Sequence, residues 1–147
     1  MSGTKHKVFT ILLVEDDAGD VDMFLRTVEH ELPRHEDEQV TLVINATAEG
    51  ALERLQQQPI DLIIADVRLP GMSGIELLRR VQDLNRRIPV IIVSWVHAIE
   101  TVIDAMRHGA FDYIVKPYDT MDLSARIHRA MRMSEIPLQA SPDEPAA

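Results

Sequence analysis

Four apolar stretches of this sequence each run into a residue that can do chemistry. Residues 8–14 lead into Glu15, Asp16 and Asp17, residues 60–66 end in Asp66, residues 90–94 end in Ser94, and residues 112–115 lead into Lys116 and Pro117. Carboxylates gathered at one place repel one another, so they must hold protons at raised pKa or recruit a cation. A hard divalent ion such as Mg²⁺ takes oxygen ligands from one or two carboxylates and keeps other positions for water and phosphate. Glu15, Asp16 and Asp66 can supply those oxygens. With the negative charge screened, an Asp66 oxygen can attack a phosphoryl group to give an acyl phosphate. Lys116 would offset charge on the phosphoryl oxygens, and the Ser94 hydroxyl could donate a hydrogen bond to one of them.

Each residue taken alone has a plainer role. Asp17 can cap a following helix, Asp66 can start the turn at Pro70 and Gly71, and Lys116 can be a solvated charge. The chemical reading rests on all of them meeting, which requires the apolar stretches to lie side by side with their ends at one rim.

The rest of the sequence meets that requirement. Residues 8–14, 40–46, 60–66, 90–94 and 112–115 are β-branched and nearly continuously apolar, the pattern of strands covered on both faces. Between and after them run segments of helical period, with apolar stripes at Val21, Phe24, Leu25, Val28 and Leu32, and at Ala48, Ala51, Leu52 and Leu55. The stripes continue at Ile75, Leu78 and Val81, at Ile99, Val102, Ile103 and Met106, and at Leu123, Ile127, Ala130 and Met131. Five strand–helix pairs predict an α/β fold: a doubly wound five-stranded parallel sheet with helices on both faces and right-handed crossovers. In such sheets function collects at the carboxyl ends of the strands.

Composition narrows the function classes. At 147 residues the chain has the length of one domain, and 46% hydrophobic with 27% charged residues suits a globular one. A net charge of −9 disfavours direct binding to nucleic acid. No stretch approaches the roughly 20 apolar residues of a membrane span, and the polar start resembles no secretory signal. The absence of cysteine fits a cytoplasmic setting. The six histidines lack paired metal-ligand spacing. Residues 33–39 read as a charged irregular connection, and residues 133–147, with three prolines, as a flexible tail or linker after a domain at 7–132.

The motifs LLVEDD at 12–17, LIIADVRLPGMSG at 62–74, the hydroxyl in VIIVSW and FDYIVKP at 111–117 together resemble the response-regulator receiver domains of bacterial two-component signalling. The resemblance covers about residues 7–132 and implies the flavodoxin-like (βα)5 receiver fold. It implies that Asp66 is the phosphoacceptor, that Glu15, Asp16, Asp66 and the Arg68 backbone carbonyl bind Mg²⁺, and that Ser94 and Lys116 contact the phosphoryl group. Asp17 is at most an auxiliary acid. Ser94 and Tyr113 take the switch positions, the ring turning inward as Ser94 moves toward the phosphoryl group, and the output surface is the fourth helix, fifth strand and fifth helix. Pro70 and Gly74 match the turn after the phosphorylated strand, Gly109 and Ala110 match the end of the fourth helix, and the Lys116–Pro117 bond is typically cis. The implied partners are a histidine kinase or phosphotransfer protein and a protein effector, with a homodimer as a further option.

Three positions depart from the usual pattern. Trp95 stands where the family has a small residue, so its indole could narrow access, shield an acyl phosphate or lie outward. Arg68 and Val96 occupy positions that modulate hydrolysis of the acyl phosphate, and neither orients water, which predicts a long-lived phosphorylated state. Two other function classes compete with the switch: a receiver-like interaction module never phosphorylated in use, and a phosphohydrolase. The second would need an acid two residues after the nucleophile, where this chain has Arg68, so no turnover enzyme is expected.

Overall fold

The computed structural model describes residues 7–33, 35–85 and 87–133. Strands and helices alternate strictly: β1 (Lys7–Val14), α1 (Ala18–His30), β2 (Glu38–Asn45), α2 (Ala48–Gln57), β3 (Leu62–Ala65), α3 (Gly74–Leu84), β4 (Val90–Ser94), α4 (Ile99–Arg107), β5 (Asp112–Val115) and α5 (Thr120–Met133). All strand pairs are parallel and the sheet order is β2-β1-β3-β4-β5, so chain order reverses between β1 and β3. This is the expected doubly wound α/β fold.

Alternation along the strands divides the core into two layers. Ile11, Leu13, Ile64 and Ile114 face Phe24 and Val28 of α1 and Leu123, Ile127 and Met131 of α5. Leu12, Val14, Ile63 and Ile92 face Ala48, Ala51, Leu77, Leu78, Val81 and Ala105 of α2, α3 and α4. β3 and β4 are buried throughout, which explains their near-continuous apolar sequence.

Element boundaries shift in places. Glu38 and Gln39, read as part of an irregular connection, open β2 by pairing with Lys7 and Val8 of β1, and Arg132 of α5 hydrogen-bonds Glu38 there. β3 begins at Leu62 rather than Ile60, and α1 stops at His30, leaving the buried Leu32 beyond its end. α5 runs to Met133, and residues 134–147 of the expected tail lie outside the described residues. The apolar stripe of α4 lies partly outward: Ile99, Ile103 and Met106 are exposed, and the helix packs through Ala105.

Two glycines shape the segment after β3. Gly71 has φ +76°, a left-handed conformation that suits the residue after Pro70 in a tight turn. A β-carbon on Gly74 would lie 1.9 Å from the Asp66 carbonyl oxygen, so only glycine lets α3 start against the end of β3. The Glu49 carboxylate of α2 closes the turn by accepting from the Met72 backbone N–H at 3.2 Å.

Candidate functional site: an acidic pocket around one lysine

Parallel register brings the expected residues to one rim. Val14 pairs with Ala65, so Glu15 and Asp66 leave neighbouring strands side by side. Ala65 pairs with Ile92, and Ser94 pairs with Val115, which sets Ser94 and Lys116 beside Asp66 on the other flank. Glu15, Asp66 and Lys116 have the same parity as Leu13, Ile64 and Ile114, so they turn toward the α1 and α5 side of the sheet. All three are buried, as is Ser94.

The Lys116 ammonium donates to Glu15 Oε1, Asp20 Oδ2 and Asp66 Oδ2, each at 2.7 Å. Three hydrogens thus meet three carboxylates. Glu15 Oε2 accepts from the backbone N–H groups of Asp16 and Asp17 at 3.1 and 3.2 Å, which fixes its orientation. Asp66 Oδ1 accepts from the Ser94 hydroxyl at 2.8 Å and the Arg68 N–H at 3.0 Å. Asp66 Oδ2 therefore faces the ammonium while Oδ1 is held from two other directions.

Burial and pairing set the charge states. Burial pushes the Asp66 carboxyl up, but hydrogen bonds from Lys116, the Arg68 N–H and Ser94 outweigh it and hold the carboxyl below its ordinary range. For Glu15 burial wins over the Lys116 hydrogen bond and raises the pKa. Lys116 loses from burial and gains more from its three carboxylate partners, so it stays an ammonium well above its ordinary range. Asp66 is thus an anion with a cation beside it, the state a nucleophilic carboxylate needs.

Asp20 is the residue that sequence reasoning missed. It lies in the first turn of α1, four residues before the buried Phe24, on the stripe that faces the sheet. Its spacing from Phe24 and Val28 was the available signal, obscured because an acid in a first helical turn has an ordinary electrostatic reason to be there. Asp17 has the plainer of its two expected roles: its Oδ1 accepts from the Asp20 N–H at 2.9 Å and caps α1. Asp16 is exposed at the rim. Among the described residues, the carboxylates whose oxygens lie within 4.8 Å of one another are Glu15, Asp20 and Asp66.

On the other flank, the Val96 N–H donates to the Ser94 hydroxyl at 3.2 Å, and the Tyr113 hydroxyl donates to the Val96 carbonyl. Tyr113 is half-buried and packs against the α2–α3–α4 layer. Ser94, Val96 and Tyr113 thus form one chain leading away from Asp66. Trp95 stands on the surface, 56% exposed. The Lys116–Pro117 bond is cis.

A doubly wound sheet whose strand ends gather buried carboxylates around one lysine, with a hydroxyl bonded to the central aspartate, defines a CheY-like α/β domain with an acidic pocket. The response regulator receiver domain family model matches residues 11–128, and the chain belongs to that family. It is similar to the transcriptional regulatory protein ZraR of Escherichia coli K12, 40% identical over 81 residues that make up 55% of this chain and 18% of that protein. An uncharacterized transcriptional regulatory protein of Bacillus subtilis, YkoG, is 36% identical over 124 residues, 84% of this chain and 51% of that protein. The chain therefore spans about half or less of these relatives. Among solved structures it resembles a CheY-like receiver domain protein from Methanospirillum hungatei, with a TM-score of 0.77 and 28% identity over 88% of this chain and 98% of that one. As a receiver domain it is a signalling module and not a turnover enzyme. No helix among the described residues is long and apolar enough to cross a membrane.

Proposed function

We propose that this domain is a phosphorylation-dependent switch of a two-component relay, accepting a phosphoryl group on Asp66 from a histidine kinase or phosphotransfer protein. The observation that carries the reading is the Asp66 carboxylate itself. It is buried, with the Lys116 ammonium on one oxygen and the Ser94 hydroxyl and Arg68 N–H on the other.

Three carboxylates against one ammonium leave excess negative charge at the rim, and all the available donors are oxygens. That donor set fits Mg²⁺. Glu15 and Asp66 of that set, with Asp16 at the rim and the Arg68 carbonyl, would hold it, leaving Asp20 on Lys116. When bound, the ion neutralises charge on the phosphoryl oxygens and so lets a carboxylate approach them. An Asp66 oxygen attacks phosphorus, the bond from phosphorus to the donor's nitrogen or oxygen breaks, and the leaving group departs with that electron pair. Lys116 and Ser94 then turn to the phosphoryl oxygens.

A phosphoryl group carries a charge near −2 and need favour one of two packings by only a few kcal/mol to act as a switch. The chain from Ser94 through Val96 to Tyr113 gives that preference a route to α4 and β5. The output surface of α4, β5 and α5 carries exposed Ile99, Ile103, Met106, Val115 and Met121, suited to a protein effector or a second copy of the chain. The reading places the domain in the cytoplasm, where a kinase can reach it. With Arg68 and Val96 at the positions that modulate hydrolysis, the acyl phosphate is expected to outlast seconds.

Incubating the chain with Mg²⁺ and acetyl phosphate and measuring its intact mass tests the proposal. A phosphoryl mass that appears on the parent and not on Asp66→Asn is the expected result. An unmodified parent would instead favour a receiver-like interaction module that is not phosphorylated in use.

A further inference from the structure

We infer that Asp20 is a positioning residue for phosphotransfer, anchoring the Lys116 ammonium from α1 so that one N–H stays aimed at the reacting oxygen of Asp66. The inference rests on the phosphorylation of Asp66 proposed above.

An ammonium has three hydrogens, and here each goes to a different carboxylate at 2.7 Å. The three acceptors are not equivalent. Asp66 Oδ2 accepts from Lys116, whereas Oδ1 already accepts two other hydrogen bonds, so Oδ2 is the oxygen with room to bond phosphorus. When it does, it becomes the bridging oxygen of an acyl phosphate, and the hydrogen it received must pass to a phosphoryl oxygen. That transfer needs no other movement of the ammonium if its remaining two hydrogens stay where they are.

Glu15 and Asp20 hold those two. They approach from separate elements, the end of β1 and the first turn of α1, and two fixed acceptors define the direction of the third N–H. Glu15 is locked by two backbone N–H groups. Asp20 is placed by its helix, since its own N–H is tied to the Asp17 cap and Phe24, one turn on, is packed in the core. Without the Asp20 carboxylate, the ammonium retains one non-reacting anchor and can swing about it. Misplacing a charge by about 1 Å at a reacting centre costs up to two orders of magnitude in rate. Asp20 is 29% exposed, so water softens its loss, and about a tenfold effect is expected.

The test follows phosphoryl incorporation into the full chain with Mg²⁺ and varied acetyl phosphate. Asp20→Ala is expected to lower the maximal loading rate about tenfold with the half-saturating donor concentration little changed, the pattern of an interaction made in the transition state. Asp20→Asn keeps an acceptor oxygen and should recover part of the rate. In a Lys116→Ala background Asp20→Ala should have no further effect, whereas a merely structural role would slow both backgrounds equally. In the chain without donor or Mg²⁺, the Lys116 ammonium should give a slowly exchanging NMR signal that Asp20→Ala abolishes. Loading of Asp20→Ala at the parent's rate, or an unchanged ammonium signal, overturns the role of Asp20. Failure of the parent to load overturns the proposed function, and the ammonium signal still reports whether Asp20 anchors Lys116.

Discussion

Lys116 is the residue on which the pocket's charge balance turns. Its side chain is 4% exposed and faces three carboxylates, two of them nearly as buried. Breaking a buried pair by removing one partner leaves uncompensated charge, which costs about 3–5 kcal/mol. Lys116→Met is therefore expected to lower the urea midpoint strongly in metal-free buffer. Mg²⁺ should raise that midpoint more in the variant than in the parent, because the competing ammonium is gone and ligand binding to the native state stabilises it. An equal Mg²⁺ effect on both proteins would contradict this picture of the pocket. Glu15, Asp66, Ser94 and Lys116 were legible in the sequence because each ends or follows an apolar run whose neighbours in a parallel sheet can be inferred. Asp20 was not, since it lies on a helix, where only the angle of its face relative to the sheet gives it a role. Trp95 was legible as an anomaly, but nothing in its size told that it would stand outward.

At the level of elements, α4 marks the limit of pattern reading. The spacing of Ile99, Val102, Ile103 and Met106 defines a stripe correctly, and periodicity cannot tell whether a neighbouring element covers it. In the structure Ile99 is 67% exposed, while Ala105 makes the close approach to the α2–α3 layer. A small residue lets the helix lie near its neighbours, and the larger apolar side chains are left on the outer side. Two substitutions separate the faces. Ile103→Lys should change stability by no more than about 0.5 kcal/mol, as surface substitutions do. Ala105→Leu adds methylenes to a filled site and should cost about 1–3 kcal/mol. Thermal unfolding of both variants measures this, and the reverse order would place the stripe inward.

For the whole molecule, five strand–helix pairs were readable from near-continuous apolar runs alternating with helical stripes. The long-range pairs that close the layers were not, because a charged residue gives no sign of its partner across the fold. Glu38 and Arg132 show this. β2 lies at one edge of the sheet and β5 at the other, yet α5, which follows β5, packs against α1 and reaches the first residue of β2. There the Arg132 guanidinium donates to Glu38 Oε1 at 2.8 Å, and the His35 N–H donates to the same oxygen at 2.7 Å. The Arg132 hydrogen bond outweighs the effect of burial and holds the Glu38 carboxyl below its ordinary value of 4.5. A carboxyl whose pKa is lower folded than unfolded adds stability that is complete above the unfolded value and disappears as pH falls through the folded one. Glu38→Gln should therefore cost about 1 kcal/mol at neutral pH, because Gln keeps an acceptor oxygen and loses only the charge that makes such a bond stronger than a neutral one. Denaturant titrations of parent and variant across the acid range should converge as pH drops well below 4.5, where Glu38 of the parent is protonated and both side chains are neutral. A gap that stayed constant with pH would assign the loss to packing instead of charge.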